Sequence, residues 1–502
     1  MTSWQNSTSA DTFIANMPTS RAGDVSFSRD SSGNINGLIA LSGILSLAPN
    51  NSSANTCCLL GDSITSYNMQ PYTYAGVAQS TLHPYNDTQA NGIGYSQHMA
   101  RGFFTWLNIL SGNSFLPLYN GGNSGERSDA ILARVPTVLT YAPRWIFELS
   151  GTNDISQLST YAPFNNNQTT CENAIFSNRT AIWSACKASG VQVVALAITP
   201  CRTTSSFYSS TQMSIMQRVN RRLKNYAQAN GIYWCDTYTA LVDTTNINGY
   251  GLDAYFDTTS IHPWSSGSYQ MAKAIWNQIK NFIQPYTGLV SSIADSYVYD
   301  PLSRNIMPGA DSILGSASTA ATGTGFTGFV PVATAGNLWV AQRAAGSTNT
   351  GVASVVAAPD GVGYSFHTVL TSAAAEDGFQ IIWVDATPSI TKLPAGTQVY
   401  FECAIKITGM TNFKGINAGM SITVVGGANA GGYSYYNTAC TSVSNEGGIT
   451  DATGFTGVIR SPAFNIPNDA TGLSSIRTGI IPTFSGAGGA TIDMWRCSIV
   501  KV

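Results

Sequence analysis

Charge is scarce in this chain. Lys+Arg number 24 and Asp+Glu 26, so that charged residues make up only 10% of 502 residues, against roughly 25% in an average soluble protein. With a formal net charge of −2 and no basic stripe, the cationic face that nucleic acid demands is missing. Histidine is scarcer still, with four residues: His83, His98, His262 and His367. No apolar run approaches the roughly 18 residues of a membrane-crossing helix. The nearest is GLIALSGILSLA at 37–48, which is too short. It also lies too far in, without a basic cluster at Met1, to make a recognisable signal peptide. No Cys-x-x-Cys pair occurs among the nine cysteines, which argues against a zinc site. Several cysteines fall in apolar strand candidates and read as small core residues; one or two disulfides are compatible with their number.

The missing charge is replaced by glycine (48 residues), serine, threonine and asparagine. A neutral surface rich in hydroxyls and amides suits an extracellular protein, or one that handles neutral polysaccharide. A chain this long is expected to hold two or three domains, and its texture changes along its length. Residues 1–54 are Ser/Asn/Thr-rich, with a strand-like patch at 24–27 and an apolar run at 38–47, and read as an N-terminal extension. From 55 to 288 strands and helices alternate. Strands are expected at 56–60, 115–119, 145–149, 191–198 and 232–236, and helices at 96–110, 127–139, 171–189, 211–229 and 265–283. Short strands separated by helical patterns imply βαβ units and a parallel sheet. From 289 to 502 helical periodicity nearly vanishes, and short runs (338–341, 353–357, 380–384, 398–407, 420–425, 457–459 and 491–502) are punctuated by Gly, Ala and Thr. That pattern suggests an all-β sandwich or jelly roll, with binding, trimer contact or shielding as its default role.

The most informative stretch is Cys57-Cys58-Leu59-Leu60-Gly61-Asp62-Ser63-Ile64-Thr65. An apolar strand breaks at a glycine and delivers an acidic residue and a serine, as a buried parallel strand would present a hydroxyl at its carboxyl end, where ligands bind in open α/β sheets. Serine is a weak nucleophile without a base. His262 lies in Thr259-Ser260-Ile261-His262-Pro263-Trp264, just ahead of a helical pattern, and can return to the mouth of the first strand. Gly125 sits in a glycine-rich turn, Asn120-Gly121-Gly122-Asn123-Ser124-Gly125, and Asn153 in Ser150-Gly151-Thr152-Asn153-Asp154. An unobstructed backbone N–H and a neutral side-chain amide both suit stabilisation of a developing oxyanion.

Taken in order, the Gly-Asp-Ser block, the glycine turn, the Gly-x-Asn-Asp block and the late His-Pro resemble the SGNH (GDSL-like) hydrolase family, over a little under half the chain. The resemblance implies a flavodoxin-like three-layer α/β/α domain. It also implies Ser63 as nucleophile, His262 as general base, and an oxyanion hole formed by the Ser63 N–H, the Gly125 N–H and the Asn153 amide. No metal or organic cofactor is implied. One position departs from the family pattern: the aspartate expected three residues before the histidine is Thr259 here. Asp257 can serve if the loop bulges, Asp253 is more remote, and a Ser–His dyad is the alternative.

Each residue also has a plainer role to weigh. Ser63 can be a helix N-cap, Asn153 and Gly125 turn formers, and His262 a loop histidine beside a proline. Asp62 is expected to fix the turn through local hydrogen bonds, and Asp154 and His98 to be structural; His83 and His367 lack partner motifs. Between Ser63 and residue 96 runs a long segment bearing Tyr67, Tyr72, Tyr74, Tyr85 and Tyr95, and Trp264 follows His262. These aromatics either stack on sugar rings or pack an insertion.

The expectation is a serine esterase that removes O-acetyl groups from a polysaccharide. The setting is extracellular or on a virion, because the arrangement resembles a phage tail spike or fibre and such proteins are commonly homotrimers. A secreted bacterial esterase with a carbohydrate-binding module is the nearest variant. A lipase or thioesterase, or a non-catalytic receptor-binding protein, are the rivals.

Overall fold

In a computed structural model the described residues are 25–29, 35–40, 55–68, 73–74, 77–78, 83–84, 100–203, 207–258, 261–296, 304–321, 323–344, 347–374, 378–388, 391, 393–427, 430–436, 447–461 and 463–501. The chain divides into residues 1–51 and residues 52–502. In the first unit β1 (Val25–Arg29) and β2 (Ile35–Ala40) form an antiparallel pair, Val25 opposite Ala40.

The second unit begins with a six-stranded sheet. Its strands are β3 (Thr56–Gly61), β6 (His83–Pro84), β7 (Leu116–Gly122), β8 (Trp145–Leu149), β9 (Gln192–Leu196) and β10 (Tyr233–Cys235), while β4 (Thr73–Tyr74) and β5 (Val77–Ala78) pair separately. The spatial order is β10-β9-β8-β3-β7-β6. The five longer strands are parallel and β6 is an antiparallel edge. Numbered among themselves, the five run 2-1-3-4-5, the flavodoxin-like order, whose ligand crevice opens beside the first strand, where the order reverses.

Helices cover both faces: α1 (Ser63–Ser66), α2 (Phe103–Leu110), α3 (Ser128–Ala133), α4 (Val135–Leu139), α5 (Thr152–Ser156), α6 (Gln168–Ala188), α7 (Ser210–Ala229) and α8 (Ser265–Ile279). Strand periodicity divides the core between them. Cys57 and Leu59 face the cluster holding Phe104, Trp106 and Met271 from α2 and α8. Cys58 and Leu60 face the opposite cluster, with Ile131, Ile175, Ile182 and Met216 from α3, α6 and α7. Every β3 residue from Cys57 on is buried, as expected for a central parallel strand covered on both sides. The expected strands and helices are present with shifted ends. The helix expected at 127–139 is broken at Arg134, with Pro136 in the first turn of α4, where the missing N–H costs nothing. That expected at 96–110 is described only from residue 103.

The remainder is β-rich, apart from the single-turn α9 (Gly309–Ser312). Strands β11 (Ser318–Ala320), β12 (Phe326–Pro331), β13 (Asn337–Arg343), β14 (Thr350–Ala357), β15 (Tyr364–Ser372), β16 (Phe379–Asp385), β17 (Gln398–Val425), β18 (Gly431–Tyr436), β19 (Ile449–Asp451), β20 (Phe455–Arg460), β21 (Phe464–Asn465) and β22 (Gly472–Lys501) form one sheet. Its spine is the antiparallel pair of β17, 28 residues, with β22, 30 residues. The other edge of β22 pairs first with β16 and then with β15. The two wings so created close over one another: Trp339 of β13 meets Phe366 of β15, and Phe326 of β12 meets Phe379 of β16, each with ring centroids 5.8 Å apart. The separate runs expected at 398–407 and 420–425 are one strand. The ladder continues through register shifts between Thr408 and Gly415, with Gly409 and Asn412 at positive φ, and such bulges read in sequence as a turn.

Both parts of residues 52–502 share a core. The apolar cluster that takes in Phe104 and Trp106 continues into Phe401, Ile405 and Phe413. Polar clamps reinforce it. Tyr269 Oη and Lys273 Nζ of α8 both donate to Asp451 Oδ2 at 3.0 Å, and Tyr286 Oη donates to Glu402, which also pairs with Arg460 at 2.8 Å. Among the described residues no helix is long and apolar enough to cross a membrane. The eight described cysteines are free and buried; Cys440 lies outside the described residues.

Candidate active site

Ser63 opens α1 directly after β3, at the carboxyl end of the sheet. Gly61 is required for the tight turn there: a Cβ would lie 2.2 Å from Thr65 Oγ1 and 2.4 Å from the Leu149 carbonyl oxygen. Asp62 caps the helix, its Oδ1 accepting from the Ile64 N–H at 3.0 Å, in keeping with the expected turn role. Asp62 is fully buried. Burial pushes its carboxyl up to about 6, with the Ile64 hydrogen bond and the nearby His262 opposing this only in part. As the first helical residue, Ser63 has no intrahelical acceptor for its own N–H.

The sequence separates Ser63 and His262 by 199 positions, and the fold brings Ser63 Oγ and His262 Nε2 to 2.8 Å. His262 precedes α8, and its segment is tied back to residues 256–257. Phe256 bridges Pro263, and the Asp257 N–H donates to the His262 carbonyl at 3.0 Å. Asp257 therefore lies beside the imidazole despite the unusual spacing, with Oδ2 3.8 Å from His262 Nδ1. That separation is longer than a hydrogen bond. The shorter contact of the same oxygen is with Arg101 Nη2, at 3.0 Å. Asp253 points elsewhere, pairing with Arg202 at 3.1 Å. Thr259 lies outside the described residues.

The turn bearing Gly125 is bound to α5, which bears Asn153, and meets α1 where Ser124 Oγ lies 3.5 Å from Ser66 Oγ. Gly125 has φ +81°, and a Cβ there would meet nothing, so the backbone conformation, not space, calls for glycine. The Asn153 amide donates to the Glu126 carbonyl at 2.9 Å and carries a second hydrogen. Asp154 takes the expected structural role: it accepts from the Ser128 N–H at 2.8 Å and the Ser128 hydroxyl at 2.7 Å, binding the start of α3 to α5. Gly151, at φ +109°, packs where a Cβ would stand 2.6 Å from Ile198 Cδ1.

Two residues outside the sequence expectation hold this arrangement. Arg134 donates to the Gly121 carbonyl at 2.7 Å and the Gly61 carbonyl at 3.1 Å and pairs with Glu126, which joins the ends of β3 and β7. Arg101 lies with its Cζ 4.6 Å from the Tyr67 ring centroid and 4.7 Å from that of Trp264. Neither arginine sits in a recognisable motif, and apart from the Arg134–Glu126 pair their partners are distant in sequence or are main-chain atoms. Trp264 needs correction as a sugar-stacking candidate: it is 6% exposed and Arg101 covers its ring. Tyr67 is half-buried, set edge-on to His262 with centroids 4.9 Å apart. Tyr72, Tyr85, Tyr95 and His98 lie outside the described residues, and Tyr74 and His83 are described only as strand backbone. His367 donates through Nδ1 to Asp493 Oδ1 at 2.8 Å across β15 and β22. Among the described residues no group of His, Cys, Asp and Glu is arranged to hold a metal.

Residues 59–268 match the model of the GDSL-like Lipase/Acylhydrolase family. This part of the chain is a GDSL-like (SGNH) α/β domain, of the acylhydrolase, or esterase, class. Solved structures similar to the chain include a GDSL-like lipase from Bacteroides thetaiotaomicron, at 18% identity and TM-score 0.31, covering 46% of this chain and 89% of that one. Another is Axe2, an acetylxylan esterase from Geobacillus stearothermophilus, at 15% identity and TM-score 0.32, covering 45% of this chain and 95% of that one. Likeness at this level says nothing about substrate. No curated protein matches the chain.

Proposed function

We propose that the chain is a serine esterase that removes O-acetyl groups from a polysaccharide, with Ser63 as nucleophile and His262 as general base. The observation that carries the reading is the 2.8 Å contact between Ser63 Oγ and His262 Nε2 at the carboxyl end of the central strand. In the proposed reaction Nε2 takes the hydroxyl proton as Oγ attacks the ester carbonyl. The oxyanion is held by the Ser63 N–H, the Gly125 N–H and the Asn153 amide. Collapse passes the proton to the leaving sugar hydroxyl, and water then releases acetate from the acyl-enzyme.

The polysaccharide preference is supported by the neutral, hydroxyl-rich composition and by the large β-rich part joined to the hydrolase domain. An extracellular or virion setting, as in a trimeric phage tail spike acting on a host glycan, accords with the same features. The test is acetate release from a panel of acetylated capsular and O-antigen polysaccharides, alongside p-nitrophenyl esters of increasing chain length. Acetyl esters are expected to be preferred, with Ser63→Ala and His262→Ala each lowering kcat by about 10³-fold or more. A preference for long acyl chains would make the protein a lipase or thioesterase. Absence of hydrolysis would leave a receptor-binding role, and hydrolysis unchanged in Ser63→Ala would overturn Ser63 as the nucleophile.

A further inference from the structure

The proposed base shares its carboxylate with a cation. Arg101, its side chain only 10% exposed, is held between the Tyr67 and Trp264 rings and reaches the Pro263 carbonyl through Nε at 3.5 Å. Its Nη2 lies 3.0 Å from Asp257 Oδ2, the same oxygen that is 3.8 Å from His262 Nδ1. Several other groups surround the imidazole and this carboxylate. The Ser63 hydroxyl sits on Nε2, the Tyr67 ring stands edge-on, the buried Asp62 carboxyl interacts electrostatically with His262, and Arg202 donates to the Asp257 main-chain carbonyl at 3.1 Å.

We propose that Arg101 is a positioning residue for the hydrolysis, one that holds Asp257 beside His262 while offsetting the charge of that carboxylate. The proposal rests on the Ser63–His262 reading. An imidazole accepts the serine proton only when neutral, so the pKa of His262 sets the acid limit of activity. A carboxylate alone beside Nδ1 stabilises imidazolium and raises that pKa, and a guanidinium on the same oxygen opposes the effect. The aromatic faces on both sides fix the planar cation, which a flexible ammonium would not match.

The test is NMR titration of His262 in the full chain labelled at histidine, with its resonance assigned by loss in His262→Gln. Arg101→Gln is expected to raise the His262 pKa by about half to one unit, a three- to tenfold gain in proton affinity. Asp257→Asn is expected to lower it, and Arg101→Gln combined with Asp257→Asn to show a smaller rise over Asp257→Asn alone. Arg101→Lys, which keeps the cation but not the fork, should fall between wild type and Arg101→Gln, and stands in for it if the glutamine variant does not fold. The acid limb of kcat/KM on p-nitrophenyl acetate should move with the NMR value. A His262 pKa that is unmoved or lowered in a folded Arg101 variant overturns the proposal. Shifted titrations in a chain that hydrolyses no acetyl ester would instead overturn the esterase reading and leave the electrostatic role of Arg101 in place.

Discussion

At the residue scale the site combines a buried serine and a half-buried histidine with fully buried support. Ser63 and His262 meet at the carboxyl end of the sheet, while Asp62, one position from Ser63, is fully buried, and burial pushes its carboxyl up to about 6. The consequence for stability has a definite sign. Between pH of about 4 and 6 the folded state binds more protons at Asp62 than the unfolded chain does, so the contribution of this group falls as pH rises through that window and is flat above it. Asp62→Asn keeps an oxygen for the Ile64 N–H and cannot ionise. It is expected to be more stable than wild type at pH 7 and to lose that advantage at pH 4, as measured by urea unfolding at the two pH values. An equal effect at both pH values would contradict the burial argument.

At the scale of elements, the short helices after the parallel strands are where function and strain coincide. Helix α5 carries Asn153 and starts from Gly151, whose left-handed φ and contact with Ile198 leave no place for a side chain. Gly151→Ala is expected to cost about 1–3 kcal/mol, read by chemical denaturation, and to lower kcat by displacing Asn153. A loss of stability without loss of turnover would separate Asn153 from the oxyanion. The pairing of Asp154 with both polar groups of Ser128 binds α5 to α3, so Asp154→Ala is expected to destabilise by about 1–3 kcal/mol, because it leaves the buried Ser128 N–H without its acceptor.

At the scale of the molecule, α2 and α8 are shared between the two parts of residues 52–502. Trp106 and Tyr269 both contact Phe455 of β20, with centroids 6.3 Å and 5.8 Å away, and a Cβ at Gly457 would stand 2.2 Å from the Ile109 carbonyl oxygen. Residues 52–502 are therefore expected to unfold calorimetrically in one main transition, and a chain ended at residue 288 to aggregate through the uncovered faces of α2 and α8. Two well-separated transitions, or a soluble and fully active truncated chain, would contradict this.

The alternation of apolar strands with amphipathic helices made the α/β domain legible, because a strand buried on both faces and a helix buried on one impose periods that survive in the residue order. The blocks around Ser63, Gly125, Asn153 and His262 were legible for a related reason: a hydroxyl, a bare N–H, an amide and an imidazole at strand ends are chemically distinctive types in short local contexts. The long strands β17 and β22 were not, since a bulge such as that at Gly409 and Asn412 resembles a turn until its partner strand is known. Nor was the environment of His262. Whether Asp257 reaches the imidazole, and that Arg101 from 156 positions away takes the same oxygen, depends on loop closure between segments whose order along the chain carries no record of distance. Local periodicity and residue chemistry thus determined the elements and the reacting groups, while only tertiary packing decided which charges face one another, because electrostatic contacts fall off with separation in space and not along the chain.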